Sequence, residues 1–113
     1  MVNIPSFRKL ALSFPDTDEH PHFDRQAFRV KKKIFATLHT AQNRAMLALS
    51  PVEQSVYCSA DPLSFFPVPG AWGKKGCTLV SLETVKTVIF KEALLTAYTG
   101  ILAKTGKTKK RPL

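Results

Sequence analysis

A chain of 113 residues with 44% hydrophobic content is one domain's length and can bury a core of its own, which excludes wholesale disorder and any need for metal or disulfide staples. The net charge of +9 points to polyanionic partners such as nucleic acid, yet five of the 17 basic residues (Lys104, Lys107, Lys109, Lys110 and Arg111) lie in the final ten, which leaves +4 for residues 1–103. No apolar stretch approaches the roughly 20 residues of a membrane span, and Leu10-Ala11-Leu12 is too short for a signal peptide, so no membrane partner and a cytoplasmic location are expected.

Asn3 can cap a first helix with Pro5 in its opening turn, and Phe7, Leu10, Ala11 and Phe14 follow at helical spacing. Pro15 stops it, and Asp16-Thr17-Asp18 reads as loop. From Glu19 the period becomes two: Phe28, Val30, Ile34, Ala36 and Leu38 alternate with Arg29, Lys33, Phe35, Thr37 and His39. Lys31-Lys32-Lys33 between the two apolar sets reads as a hairpin tip, although it lacks the Gly or Asn that a tight turn prefers. Ala41-Gln42-Asn43 is a further turn and residues 44–49 a further strand.

Ser50-Pro51-Val52-Glu53 is a helix start with a capping box, and Val52, Val56 and Tyr57 are expected to point inward. The helix should end before Asp61-Pro62. A Phe-rich linker then leads into Pro69-Gly70-Ala71-Trp72-Gly73-Lys74-Lys75-Gly76, with three Gly and the only Trp. A strand over 77–82 and a long helix over 84–103 close the domain, the helix carrying Val85, Val88, Ile89, Leu94, Leu95, Tyr98, Ile101 and Leu102. Strands grouped between helices, without βαβ alternation, give an α+β two-layer fold: an antiparallel sheet of about five strands with helices packed on it. Residues 1–103 form the single domain, and residues 104–113 read as a basic disordered tail.

No catalytic signature stands out. His20 and His22 would share one face of a strand, with His39 or Asp24 nearby, but no carboxylate pair or HxxxH accompanies them, and a polar sheet edge is the simpler reading. Cys58 and Cys77 sit in no nucleophile elbow and read as reduced thiols. The glycine-rich loop lacks P-loop spacing. No cofactor or metal is therefore expected. Lys31, Lys32, Lys33, Lys74 and Lys75 suggest two basic hairpin tips that contact phosphates, with Arg29 and Trp72 nearer the bases. The alternatives are a protein-interaction or chaperone-like module using an apolar patch of Phe65, Phe66 and Trp72, or a small-molecule pocket around His20, His22, Phe23, Arg29, Trp72 and Gly73.

Several blocks resemble the MmcQ/YjbR family of small bacterial proteins: Glu19-His20-Pro21-His22-Phe23, Ala27-Phe28-Arg29-Val30, residues 33–38, Ser50-Pro51-Val52-Glu53-Gln54, and above all residues 65–73 with Gly76 and Thr78-Leu79-Val80. They run in the family's order over about residues 5–103. The resemblance implies a secretion-chaperone-like α+β fold with a double-wing arrangement, the shape behind the family's DNA-binding label. It implies no enzyme activity or cofactor. Positions carried over as a surface site are His20, His22, Phe23, Arg29, Lys33, Trp72, Gly73 and Lys74. Relatives often place an aromatic where this chain has Cys77. The sequence thus predicts a non-enzymatic, monomeric protein whose partner is DNA or, failing that, another protein.

Overall fold

The Asn3 side chain accepts a hydrogen bond from the Ser6 amide at 2.8 Å, and with Pro5 in the first turn this starts helix α1, Ile4–Ser13. The chain then turns at Asp16, whose φ of 62° lies in the left-handed region. The structure, a computed structural model, describes residues 2–109, with side chains as far as Thr105. Six strands follow the first helix: β1 (Thr17–His22), β2 (Arg25–Val30), β3 (Lys33–His39), β4 (Arg44–Ala48), β5 (Phe65–Pro67) and β6 (Cys77–Ser81). The helices between and after them are α2 (Pro51–Ala60), α3 (Ala71–Lys74) and α4 (Thr87–Lys109).

All six strands pair antiparallel in the order β1-β2-β3-β4-β6-β5. The α+β expectation holds, with one strand more than the five expected. The extra strand is β5, in the stretch read as a Phe-rich linker; three residues are too few for alternation to show. Strand β1 also starts earlier, at Thr17 rather than Glu19, because its register with β2 begins at Thr17–Val30.

Register sorts the side chains onto two faces. One row runs across the sheet through Phe28, Ala36, Leu47 and Thr78, and a second through Leu38, Ala45, Val80 and Phe65. Helices α1 and α4 cover this face: Phe7 meets the Phe28 and Phe90 rings at 5.2 and 5.5 Å, and Phe14 and Phe35 pack on Tyr98. Phe7, Phe28, Phe35, Phe65 and Phe90 are wholly buried, each contributing about 1.5–3 kcal/mol of burial free energy. A register shift between Phe28 and Arg29 is a bulge that lets adjacent Phe35 and Ala36 both be buried.

Helices α1 and α4 leave the opposite face open, and the single-turn α3 borders it at Trp72. The central row of that face is His20, Ala27, Thr37, Met46, Leu79 and Phe66, one residue from every strand.

Three helical expectations are corrected. In α2, Val52 and Val56 are exposed, and Tyr57 is the buried residue of that helix. In α4, Val88 (79% exposed) and Leu95 face out, while Phe90, Ala93, Leu94, Ala97 and Tyr98 face the sheet. The rest of the expected stripe does face inward, with Val85, Leu94 and Tyr98 buried and Ile89, Ile101 and Leu102 packed against the core, and Phe90, Ala93 and Ala97 complete it. The α4 backbone also continues through residues 104–109, where disorder was expected, and Thr105 is buried, its hydroxyl donating to the Leu102 carbonyl. Only residues 110–113 of the expected tail lie outside the described residues.

Candidate nucleic-acid interface

Two basic connections leave the same end of the sheet. The β2–β3 hairpin closes at Val30–Lys33, with Lys31 and Lys32 both at positive φ (50° and 70°). That is the backbone of a type I′ turn, the twist-matched hairpin turn, built here without Gly or Asn. All three lysines are exposed. The second connection joins β5 to β6, which begins at the sheet end where β3 also begins and β4 finishes. It is not a hairpin tip, as expected from sequence, but a loop with the single-turn helix α3. Lys74 and Lys75 are exposed on it.

The glycines explain this loop. Gly70 has φ 84° and Gly76 φ 113°, values that L side chains rarely adopt. Gly73 is buried against the Val68 carbonyl, with no room for a Cβ. From α2, the Gln54 amide donates to the Gly73 and Cys77 carbonyls at 3.0 and 2.9 Å. The loop so pinned leaves Trp72 66% exposed, with the Lys75 ammonium 5.4 Å from its ring centre.

A groove of about 830 Å³ crosses the open sheet face beside this loop. Ile34, Thr37, Met46, Ala48 and Leu79 line it, bounded on one side by Val68, Pro69 and Trp72 and on the other by His22, Phe23 and Arg25. Phe23 is 96% exposed at the β1–β2 turn, with φ 59°. A left-handed conformation at a bulky residue costs about 1–3 kcal/mol, and here it is held with no burial in return.

The charges on this face are partly offset. Arg29 donates twice to Asp18, at 2.8 and 3.2 Å, and the guanidinium holds the Asp18 carboxyl below its usual range. Two of the Arg29 donors are thereby directed at Asp18 on the neighbouring strand. The His39 Nδ1 accepts from the Gln42 amide, so its proton sits on Nε2 and is donated to Asp24 at 3.1 Å. That bond lowers the Asp24 pKa, and Arg25 lies 3.5 Å from the same carboxylate. Arg44 sits over the Phe66 ring. Burial pushes both the Cys58 and Cys77 thiols up, away from nucleophilic thiolate character, and both are free cysteines.

The other sequence-derived sets do not assemble as drawn. Phe65 is buried, with its ring 5.4 Å from Tyr57, so Phe65, Phe66 and Trp72 form no common exposed patch. Of the suggested pocket, His22, Phe23 and Trp72 line the groove, whereas His20 and Arg29 do not. Met46, Leu79 and Arg44 were missed, although the alternation of residues 44–48 could have assigned their face once the strand order was known. Among the described residues no three His, Cys, Asp or Glu side chains gather as a metal site, and no helix is long and apolar enough to cross a membrane.

The YjbR family model matches residues 12–99. The chain belongs to the YjbR family. A crystal structure of the Deinococcus radiodurans protein DR2400, which carries the family-model domain DUF419, superposes with a TM-score of 0.79 at 23% identity, over 89% of this chain and 79% of that one. At that identity the likeness is one of fold. The curated proteins offer no match. Gly70, Gly73 and Gly76, the most specific part of the sequence resemblance, fall inside the matched YjbR span and serve to shape the loop that displays Trp72 and Lys75.

Proposed function

We propose that this YjbR protein binds DNA without catalysing a reaction, its phosphates contacted by Lys31, Lys32, Lys33, Lys74 and Lys75. The observation that carries the reading is the shared sheet end of two basic connections well separated in sequence. Neighbouring strands lie about 4.8 Å apart, so the β3 and β6 starts, two strands apart, are about 10 Å from one another. Exposed ammonium groups on that scale can meet successive phosphates of one backbone and release their counterions. The loop's order supports the same reading, because a pinned turn presents its lysines at low entropic cost.

The test is binding of labelled DNA across a salt series, with wild type beside a variant in which all five lysines are Ala. Each phosphate contact adds about 0.9 to the log–log salt slope on duplex and about 0.7 on single strands. Loss of all five should lower the slope by roughly 3.5–4.5. An unchanged affinity and slope would remove these lysines from the interface.

A further inference from the structure

We infer that the groove across the open sheet face receives unpaired nucleobases, so that single-stranded nucleic acid is bound in preference to duplex. The inference rests on the DNA-binding reading above and names the form of the ligand. Eight large hydrophobic side chains are exposed among the described residues, and the two aromatic ones, Phe23 and Trp72, both line this groove from opposite sides. Neither packs on the core. Phe23 is held out at a backbone angle unfavourable to it, meeting only the His22 ring edge at 4.9 Å among ring contacts.

Between the two rings the lining is mostly apolar, through Ile34, Met46, Ala48 and Leu79, with Thr37 beside Met46. A duplex keeps its base faces stacked inside and offers such a surface only backbone and base edges. Unpaired bases can use it, because every base has a face to lay on an aromatic ring. Charge fits as well. Arg25 and Arg44 line the groove, and its one carboxylate, Asp24, is already bonded to His39 and close to Arg25. The link to the phosphate-binding end is Lys75 at the Trp72 ring: a phosphate on that ammonium brings its own base within reach of the indole.

Trp72 is the only tryptophan, so emission excited at wavelengths that the two tyrosines do not absorb reports on this groove. The full chain is titrated with a labelled oligothymidylate and, separately, with a duplex of equal length. Anisotropy and Trp72 emission are read together. The expected result is tighter binding of the single strand, with emission quenched in step with anisotropy. Phe23→Ala should weaken single-strand binding about 5- to 150-fold, the range of one lost stacking contact, and leave duplex binding unchanged. Because Phe23 is exposed, circular dichroism should show the variant folded.

Anisotropy that rises with Trp72 emission unmoved and Phe23→Ala silent would overturn the inference and leave the phosphate-binding reading standing. Binding of neither nucleic acid would overturn both. Emission that shifts with protein concentration alone would mean that a second copy covers the groove, which also overturns the inference.

Discussion

At Gly76 an added methyl would overlap the Leu49 carbonyl oxygen, at Gly73 that of Val68, while at Gly70 it would meet open space. The three positions therefore separate two costs. Gly70→Ala incurs backbone strain alone, about 1–3 kcal/mol. Gly73→Ala incurs overlap alone, in the range of about 1–3 kcal/mol for an overpacked site, because it must push back the backbone just after β5, where the Val68 amide donates to the Cys77 carbonyl. Gly76→Ala incurs both and should be the most destabilising of the three. Urea unfolding with unchanged m-values measures the order, and a Gly76→Ala midpoint at or above that of Gly70→Ala would contradict it. The glycine spacing was visible in the sequence as a motif. What each glycine avoids was not, since Leu49 and Val68 are brought there by other elements. The same holds for Arg29: nothing in the run Ala27-Phe28-Arg29-Val30 says that Asp18 on the neighbouring strand holds its guanidinium.

Helix α2 shows which properties of an element are local. Its start was legible, and the Ser50 hydroxyl and Glu53 carboxylate make the reciprocal capping bonds at 3.1 and 2.9 Å. Its buried face was legible only in part: Tyr57 points inward as expected, but Val52 and Val56, with the same four-residue spacing as Glu53 and Tyr57, point out. Partners decide between them: the Tyr57 hydroxyl lies 3.2 Å from Glu92 and 3.3 Å from Thr96 on α4, and Gln54 holds the α3 loop. Gln54 thus couples a helix to the loop that displays Trp72. Gln54→Ala removes two hydrogen bonds at about 0.5–1.5 kcal/mol each, so a loss of about 1–3 kcal/mol is expected. Thermal unfolding measures that loss, and the Trp72 emission of the free protein should shift because its turn is released. If stability falls and the emission does not move, Gln54 supports α2 without setting the loop.

Across the whole molecule the question is where the charge that matters resides. Composition made the C-terminal end the most basic segment, yet the helix continues through residue 109 and buries Thr105, so part of that segment belongs to the folded body. A chain ended after Ala103 would cut into the helix and confuse stability with charge. Ending it after Lys109 removes two basic residues, Lys110 and Arg111, and leaves every described residue in place. If binding belongs to the sheet end, the shortened chain should keep its DNA affinity within the effect of two charges, a fall in salt slope of no more than about 1.8. The five-lysine variant with the C-terminus intact should lose far more. The opposite pattern, with affinity gone from the shortened chain and kept in the lysine variant, would move the interaction off the folded face. The paired basic connections would then be solvated turns that keep the sheet's end soluble.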